Sequence, residues 1–295
     1  MKIVYAGNGL RGKVCLESLL DKNKDVVSVL LHEKRDFDME KIAKTNNIPI
    51  CFENPNSENT IKYLQELSPD LVILSGYNYI LKKPILNSFE RKIINLHGGK
   101  VPDYRGASVI PWAIINGETN AGCSILYVNE GIDTGNILAS QEYSIHYGEE
   151  INDVVSKTLE IFPKILEEAI QKFSQGDKGI PQLTKGQYYH KRREPDNEIL
   201  WNQMSSRQIY NLVRSQTKPY LGAFTHHAGE KIRVWKAKEL GYEIKGKSGE
   251  VLDQLREGVV IMAKDRGILI KNRRYFRRII FSDFGKKINI FLKKF

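Results

Sequence analysis

Long hydrophobic runs are missing from this 295-residue sequence. Apolar stretches such as residues 26–31 fall far short of the roughly 20 residues that a membrane-spanning helix needs, which excludes integral membrane contact. Cysteine is scarce as well. Cys15, Cys51 and Cys123 are an odd number, far apart and in no C-x-x-C spacing, which argues against both a disulfide framework and a structural zinc. Each lies in an apolar stretch and reads as a small buried hydrophobe. The first six residues open as a strand, with no charged-then-apolar leader and no small-residue cleavage site, so the sequence predicts a cytoplasmic protein. Low-complexity segments are absent too. With 41% hydrophobic and 27% charged residues, the chain has the composition and the length of a globular protein with a real core.

Charge is present but unevenly placed. The net charge is +10, and residues 264–295 alone hold eleven Lys or Arg against Asp265 and Asp283. Such a tail could meet RNA, an anionic membrane face or a phosphate-bearing substrate, or simply be solvated. Within it Ile280, Phe284, Ile288, Phe291 and Phe295 recur at helical spacing opposite basic residues, while Gly285 weakens a long helix. Packing on the protein's own surface explains that stripe without a partner, and no function is read from it.

Strand-like runs at 3–6, 26–31, 71–74 and 93–96 alternate with helix-like stretches at 12–20, 39–46 and 57–67, the βαβ rhythm of a doubly wound parallel sheet. Asp38 and Ser57 are the expected helix starts. A strand pair follows at 123–128 and 137–143, then a long helix over 152–173 in which Pro163 predicts a kink or restart. Residues 174–196, rich in Gly, Gln, Lys and Pro, read as a connection. A short helix at 205–215 and strands at 223–227, 232–236, 249–252, 259–263 and 268–271 predict a small β barrel or sheet. The expected division is a catalytic domain over 1–185, a connection over 186–204 and a C-terminal helix plus small β-domain with the basic tail over 205–295.

Gly7-Asn8-Gly9-Leu10-Arg11-Gly12 is a G-x-G-x-x-G directly after a strand, and Glu33 follows about twenty residues on. Glycines there let the backbone approach a pyrophosphate at a helix N-terminus, while an acid holds a ribose hydroxyl. A tight strand-to-helix turn needs glycine with no ligand at all. On this motif alone a nicotinamide oxidoreductase and a bare turn stand level.

The residues best suited to chemistry lie further on. In Ile93-Ile94-Asn95-Leu96-His97-Gly98-Gly99, Asn95 and His97 are two apart at a strand end and share a face at the carboxyl edge of the sheet, where open α/β sheets keep their sites. An amide donor beside an imidazole suits acyl transfer: the amide can bond a developing oxyanion and the imidazole can handle a proton. Asp133, in the glycine-flanked turn Glu130-Gly131-Ile132-Asp133-Thr134-Gly135, is the candidate carboxylate partner. Taken singly, each has a plainer role as a strand-end cap, a satisfied buried histidine or a turn former.

INLHGGKVPDYRGASVIPWAIINGE followed by CSILYVNEGIDTGNILASQ resembles the core of the folate-dependent formyltransferases over most of residues 1–145. The resemblance implies a Rossmann-like domain that moves a formyl group from 10-formyltetrahydrofolate to an amine, with neither a metal nor a nicotinamide. It implies Asn95, His97 and Asp133 as the catalytic set, with Gly135 completing the turn. The segment 75–81 is similar to the loop that lines the family's pterin pocket, which implies Tyr79 and Ile80, together with Gly131, as donor-binding residues.

Two acceptors compete within that resemblance. Methionyl-tRNA formyltransferases carry a long basic insertion after the second strand, whereas here residues 32–38 pass quickly into a helix. Gly98-Gly99-Lys100, RREPDNEILW and IYNLVRSQTKPYLGAF also look closer to nucleotide-sugar N-formyltransferases, although Leu221 stands where PYPGAF is common. This makes a nucleotide-linked amino sugar the expected acceptor, with Lys100, Tyr104 and Arg105 the nearest candidates for its phosphates. If the sugar belongs to surface glycans, the product would serve surface polysaccharide assembly. The basic tail and the β-domain, which resembles the tRNA enzymes' OB-like module, favour tRNA instead. A nicotinamide oxidoreductase on Gly7, Gly9, Gly12 and Glu33, and a non-catalytic RNA-binding module, are the rivals from other classes. A homodimer is left open.

Overall fold

The computed structural model describes residues 1–32, 36–227 and 229–271. Glu33 and the tail with its stripe from Ile280 to Phe295 lie outside the described residues. The chain opens as β1 (Lys2–Gly7), α1 (Gly9–Asp21), β2 (Asp25–Leu30), α2 (Phe37–Thr45), β3 (Ile50–Cys51), α3 (Glu58–Leu67), β4 (Leu71–Ser75), α4 (Lys83–Ser88) and β5 (Ile93–His97). It continues through β6 (Arg105–Gly106), α5 (Val109–Asn116), β7 (Asn120–Tyr127), β8 (Ile137–Ser144), α6 (Ile151–Ser174) and β9 (Tyr188–Tyr189).

The main sheet has the order β3-β2-β1-β4-β5-β7-β8. Its first five members pair in parallel, and β7 enters antiparallel to β5. Strand β1 is hydrophobic without alternation because both faces are covered: Ile3, Val4, Tyr5 and Ala6 all have zero exposure. One face packs Val4, Ala6, Val72 and Leu74 against Leu64, Ile85 and Phe89. Each such side chain taken fully from water contributes about 1.5–3 kcal/mol. The order reverses between β1 and β4, and the crevice beyond the carboxyl ends of β1, β4 and β5 is where such sheets hold ligands.

Helix starts follow the capping chemistry, with one shift. Ser57 caps α3 by accepting from Thr60 N, as expected, but α2 is capped by Asp36, whose Oδ1 accepts from Met39 N, and not by Asp38. Helix α6 runs unbroken over 24 residues, with Pro163 inside it and no restart. Phe162, Ile165 and Leu166 on either side of the proline are buried, so packing offsets the bond that the ring removes.

The polypeptide forms two compact units, one of residues 1–109, 120–143 and 155–189, the other of residues 110–119, 144–154 and the described residues from 190 on. The second contains a 3₁₀ turn (Glu194–Asn197), α7 (Ser206–Ser215), the antiparallel hairpin β10 (Ala223–His227) and β11 (Glu230–Val234), and then β12 (Ala237–Glu239), β13 (Val251–Leu255), β14 (Gly258–Met262) and β15 (Gly267–Ile270). The last four form an antiparallel sheet of order β12-β15-β14-β13. The expected small β-domain is therefore present as a hairpin and a separate four-stranded sheet among the described residues. Ser205 and Gln208 close a capping box at the start of α7, whose Ile209, Leu212 and Val213 pack on Val259, Ile261, Ile268 and Ile270. No described helix is long and apolar enough to cross a membrane.

Candidate active site

The glycine motif at the end of β1 is a packing device. A Cβ on Gly12 would lie 3.2 Å from both Gly7 C and Ser75 O, so a side chain there would press α1 a few tenths of an ångström off the sheet. The anion site at the start of α1 already holds a carboxylate of the chain: Gly9 N donates to Asp36 Oδ2 at 2.7 Å. One aspartate thus serves the first turns of both α1 and α2, standing where a pyrophosphate would bind. The dinucleotide reading of Gly7, Gly9 and Gly12 loses its physical basis here.

At the end of β5 the two-residue period sends Asn95 and His97 to one side, as their spacing requires. The turn after β7 brings Asp133 to meet them from 38 and 36 residues away. Asn95 Nδ2 donates to Asp133 Oδ1 at 3.2 Å, Gly106 N donates to Asp133 Oδ2 at 2.9 Å, and His97 Nδ1 lies 3.3 Å from the same oxygen. Asp133 adopts a left-handed backbone, φ +53°, to aim its carboxylate inward. Gly135 lies so close to β7 that a Cβ would fall 1.7 Å from Tyr127 O, which no side chain could satisfy.

His97 has both ring nitrogens engaged. Its Nε2 lies 2.6 Å from Tyr104 O, and since a carbonyl only accepts, Nε2 carries a proton. Nδ1 and Asp133 Oδ2 then face each other as two acceptors, with room for one proton on the line between them. Burial pulls the imidazole below its ordinary value, while the charge of Asp133 and the Tyr104 carbonyl act in the opposite direction. With side-chain exposures of 6% and 10%, His97 and Asp133 are both largely screened from water.

Asn95 and Asp133 open onto a cleft whose walls include Tyr77, Tyr79, Ile80, Leu126, Val128 and Gly131. The donor-binding residues expected from the sequence, Tyr79, Ile80 and Gly131, therefore share one cleft with two of the three catalytic candidates, and His97 sits behind them. Ile80 is 69% exposed, so it is no core residue. Tyr77 Oη is buried with no hydrogen-bond partner. Tyr79 is backed by His32, stacked on it at 4.9 Å and 19°, and His32 Nε2 accepts from Asn78 N at 3.0 Å.

The three phosphate candidates are less alike. Lys100 is exposed, and its ammonium pairs with Glu142 at 2.7 Å, holding that carboxyl below the usual range. Tyr104 is buried, stacks on Tyr189 at 4.8 Å, and serves the site through its carbonyl. The Arg105 guanidinium is bonded to Gln182 and to the carbonyls of Thr184 and Lys185. Sequence reasoning missed His32 and Arg11, whose Nη1 donates to Leu96 O behind the imidazole. Neither carries a local signal, because each acts through a partner far away in the chain. Among the described residues no group of three or more His, Cys, Asp or Glu could hold a metal ion.

The family profile described as formyl transferase matches residues 1–170, and the formyl transferase C-terminal domain matches residues 192–275. A methionyl-tRNA formyltransferase of Thermodesulfovibrio yellowstonii is 33% identical over 257 residues, covering 85% of this chain and 78% of the relative. Among solved structures, an N-formyltransferase from Helicobacter canadensis, in complex with folinic acid and dTDP-3-aminofucose, has TM-score 0.73 at 17% identity and covers 92% of this chain and 99% of its own. HypX from Aquifex aeolicus in complex with tetrahydrofolic acid has TM-score 0.64 at 23% identity over 92% of this chain. This chain spans less than half of HypX, 43%.

Proposed function

The chain belongs to the formyl transferase family, and from that premise we propose that it carries a formyl group from 10-formyltetrahydrofolate to the primary amine of a nucleotide-linked amino sugar. The observation that carries the reading is the meeting of Asn95 and Asp133 with Tyr79, Ile80 and Gly131 around one cleft. The donor supplies an electrophilic carbonyl carbon when bound there.

The residues of the chain do the rest. One hydrogen of the Asn95 amide is committed to Asp133, and the other is free to meet the oxygen on which negative charge develops as the amine attacks. Asp133 takes the proton that the amine must lose, shares it along the line to His97 Nδ1, and returns it to the donor nitrogen as the bond between that nitrogen and the formyl carbon breaks. Tyr104 O and Gly106 N fix the orientation of the pair from the other side.

Two features support a sugar acceptor. Only residues 31–36 separate β2 from α2, too few for the basic insertion that the sequence resemblance attaches to tRNA enzymes. The fold likeness to the Helicobacter canadensis enzyme extends over nearly the whole of both chains. A second reading, methionyl-tRNA as acceptor, is favoured by the sequence relatives, several of which are described as methionyl-tRNA formyltransferases. The full chain assayed with 10-formyltetrahydrofolate against dTDP- and UDP-linked amino sugars and against charged initiator tRNA decides between them. The account predicts a sugar amine formylated with kcat/KM at least tenfold above that for tRNA; formylation of the tRNA alone would replace the first reading by the second.

A further inference from the structure

Residues 178–189 run as a strap across the two loops that build the site. At the near end Asn136 Nδ2 donates to Lys178 O, and Ile137 and Ile180 exchange both backbone bonds at 2.8 Å. At the far end Gln187 N donates to Pro102 O, Arg105 N to Gln187 O, and Ala107 N to Tyr189 O. Gly186, at φ +60°, presses so closely on Pro102 that a Cβ would lie 1.9 Å from its carbonyl oxygen. One end is thus tied to the turn bearing Asp133, and the other to the loop supplying Tyr104 O and Gly106 N.

Gln182 sits between the ends and joins them. Its Nε2 donates to Asp133 O at 2.9 Å and to Gly135 O at 2.8 Å. Its Oε1 accepts from Arg105 Nε at 3.0 Å and Nη2 at 2.8 Å. The amide therefore uses both hydrogens on the aspartate turn and both lone pairs on the arginine, its full bonding capacity. Arg105 in turn closes the strap on itself through Lys185 O at 2.6 Å and Thr184 O at 3.3 Å.

Resting on the formyl-transfer reading above, the geometry points to Gln182 as a positioning residue that holds Asp133 at its working distance from His97 and Asn95. Asp133 has a left-handed backbone, which is unfavourable for a residue with a Cβ and persists only when its surroundings fix it. Its side chain is fixed by Asn95 and His97 of β5 and by Gly106 of β6. Its backbone is held separately: within the turn Asn129 Oδ1 accepts from Gly131 N and Thr134 Oγ1, and from outside it Gln182 holds the Asp133 and Gly135 carbonyls. Gln182 is the anchor from outside the turn, and Arg105 is the post to which it is fastened.

Two variants of the full chain test this. Gln182→Met keeps length and adds no charge but cannot bond; Gln182→Glu keeps the link to Arg105 while setting an oxygen against two carbonyls. Both are expected to lower kcat about 10- to 100-fold, the scale of a carboxylate displaced by about 1 Å. Donor and acceptor KM should stay within threefold, and the limb of the pH–rate profile set by the His97–Asp133 pair should move. The ring titration of His97 in the Gln182→Met protein, followed by nitrogen NMR without substrates, should shift as well. A Gln182→Met enzyme with kcat within twofold of the parent and an unshifted ring titration overturns the assignment, as does a loss shared equally between kcat and both KM values with an unmoved pH profile. Should the parent transfer no formyl group, the reading of the reaction fails, and the ring titration still decides the role of Gln182.

Discussion

Replacing Asp133 by Asn tests the electrostatic core of the site. Asp133 accepts from Asn95 Nδ2 at 3.2 Å and from Gly106 N at 2.9 Å, and it faces His97 Nδ1 at 3.3 Å. An amide of the same shape can present only one acceptor oxygen. Turned either way, its NH₂ opposes the N–H of Gly106 or the amide of Asn95. Losing one charge-assisted bond removes about 1.5–3 kcal/mol, and leaving a buried donor unpaired costs about 1–3 kcal/mol more. At 1.36 kcal/mol per decade, the combined loss predicts a fall in kcat of about 10²- to 10⁴-fold. Tyr79, Ile80 and Gly131 are untouched, so donor affinity should change less than threefold. Single-turnover formyl transfer at saturating substrates reads the first quantity, and equilibrium folate binding reads the second. An Asp133→Asn enzyme that keeps more than a tenth of the parent kcat would falsify the charge argument.

Three further outcomes follow from the packing and the buried ionisable groups. Gly135→Ala sets a methyl group 1.7 Å from Tyr127 O, so the turn must move; differential scanning fluorimetry should show a lower Tm, consistent with roughly 1–3 kcal/mol of overpacking, together with lost turnover. An unchanged Tm contradicts that close approach. Burial pushes the Cys15 and Cys123 thiols up to about 12, so the native protein at pH 8 should release one equivalent with Ellman's reagent, from half-buried Cys51, and three after denaturation. Fast reaction of all three in the native state contradicts the burial. His97 is held below its ordinary value, so as pH falls through about 6.5 the unfolded chain takes up this proton first and the folded state loses stability. Urea midpoints at pH 5 and pH 7.5 should therefore diverge more for the parent than for His97→Gln, and equal divergence would remove the buried neutral imidazole from the account.

The sequence reveals this fold where burial is simple. Strand β1 and its parallel neighbours are apolar runs bounded by turn residues, and Ser57 before a helical period marks a cap whatever surrounds it. Asn95 and His97 are legible for the same reason, since the two-residue strand period sends both to one side without any tertiary information. Glycine is harder to read, because Gly7, Gly9 and Gly12 serve close packing as readily as phosphate binding. The difference lies in Asp36, which no spacing rule connects to the start of α1. The strap eludes sequence reasoning altogether. Residues 174–196 look like a plain connection because their order comes from bonds to Pro102, Arg105 and Asp133, up to 85 positions away, and not from any periodicity of their own.

The account stands most directly on tetrahydrofolate release from 10-formyltetrahydrofolate with an amino-sugar nucleotide, measured side by side for the parent and for Asn95→Ala. It predicts steady amine-dependent release by the parent and a rate about 10²- to 10³-fold lower in the variant, the loss expected for one oxyanion donor, with folate binding retained in both. Equal rates in the two proteins would contradict it.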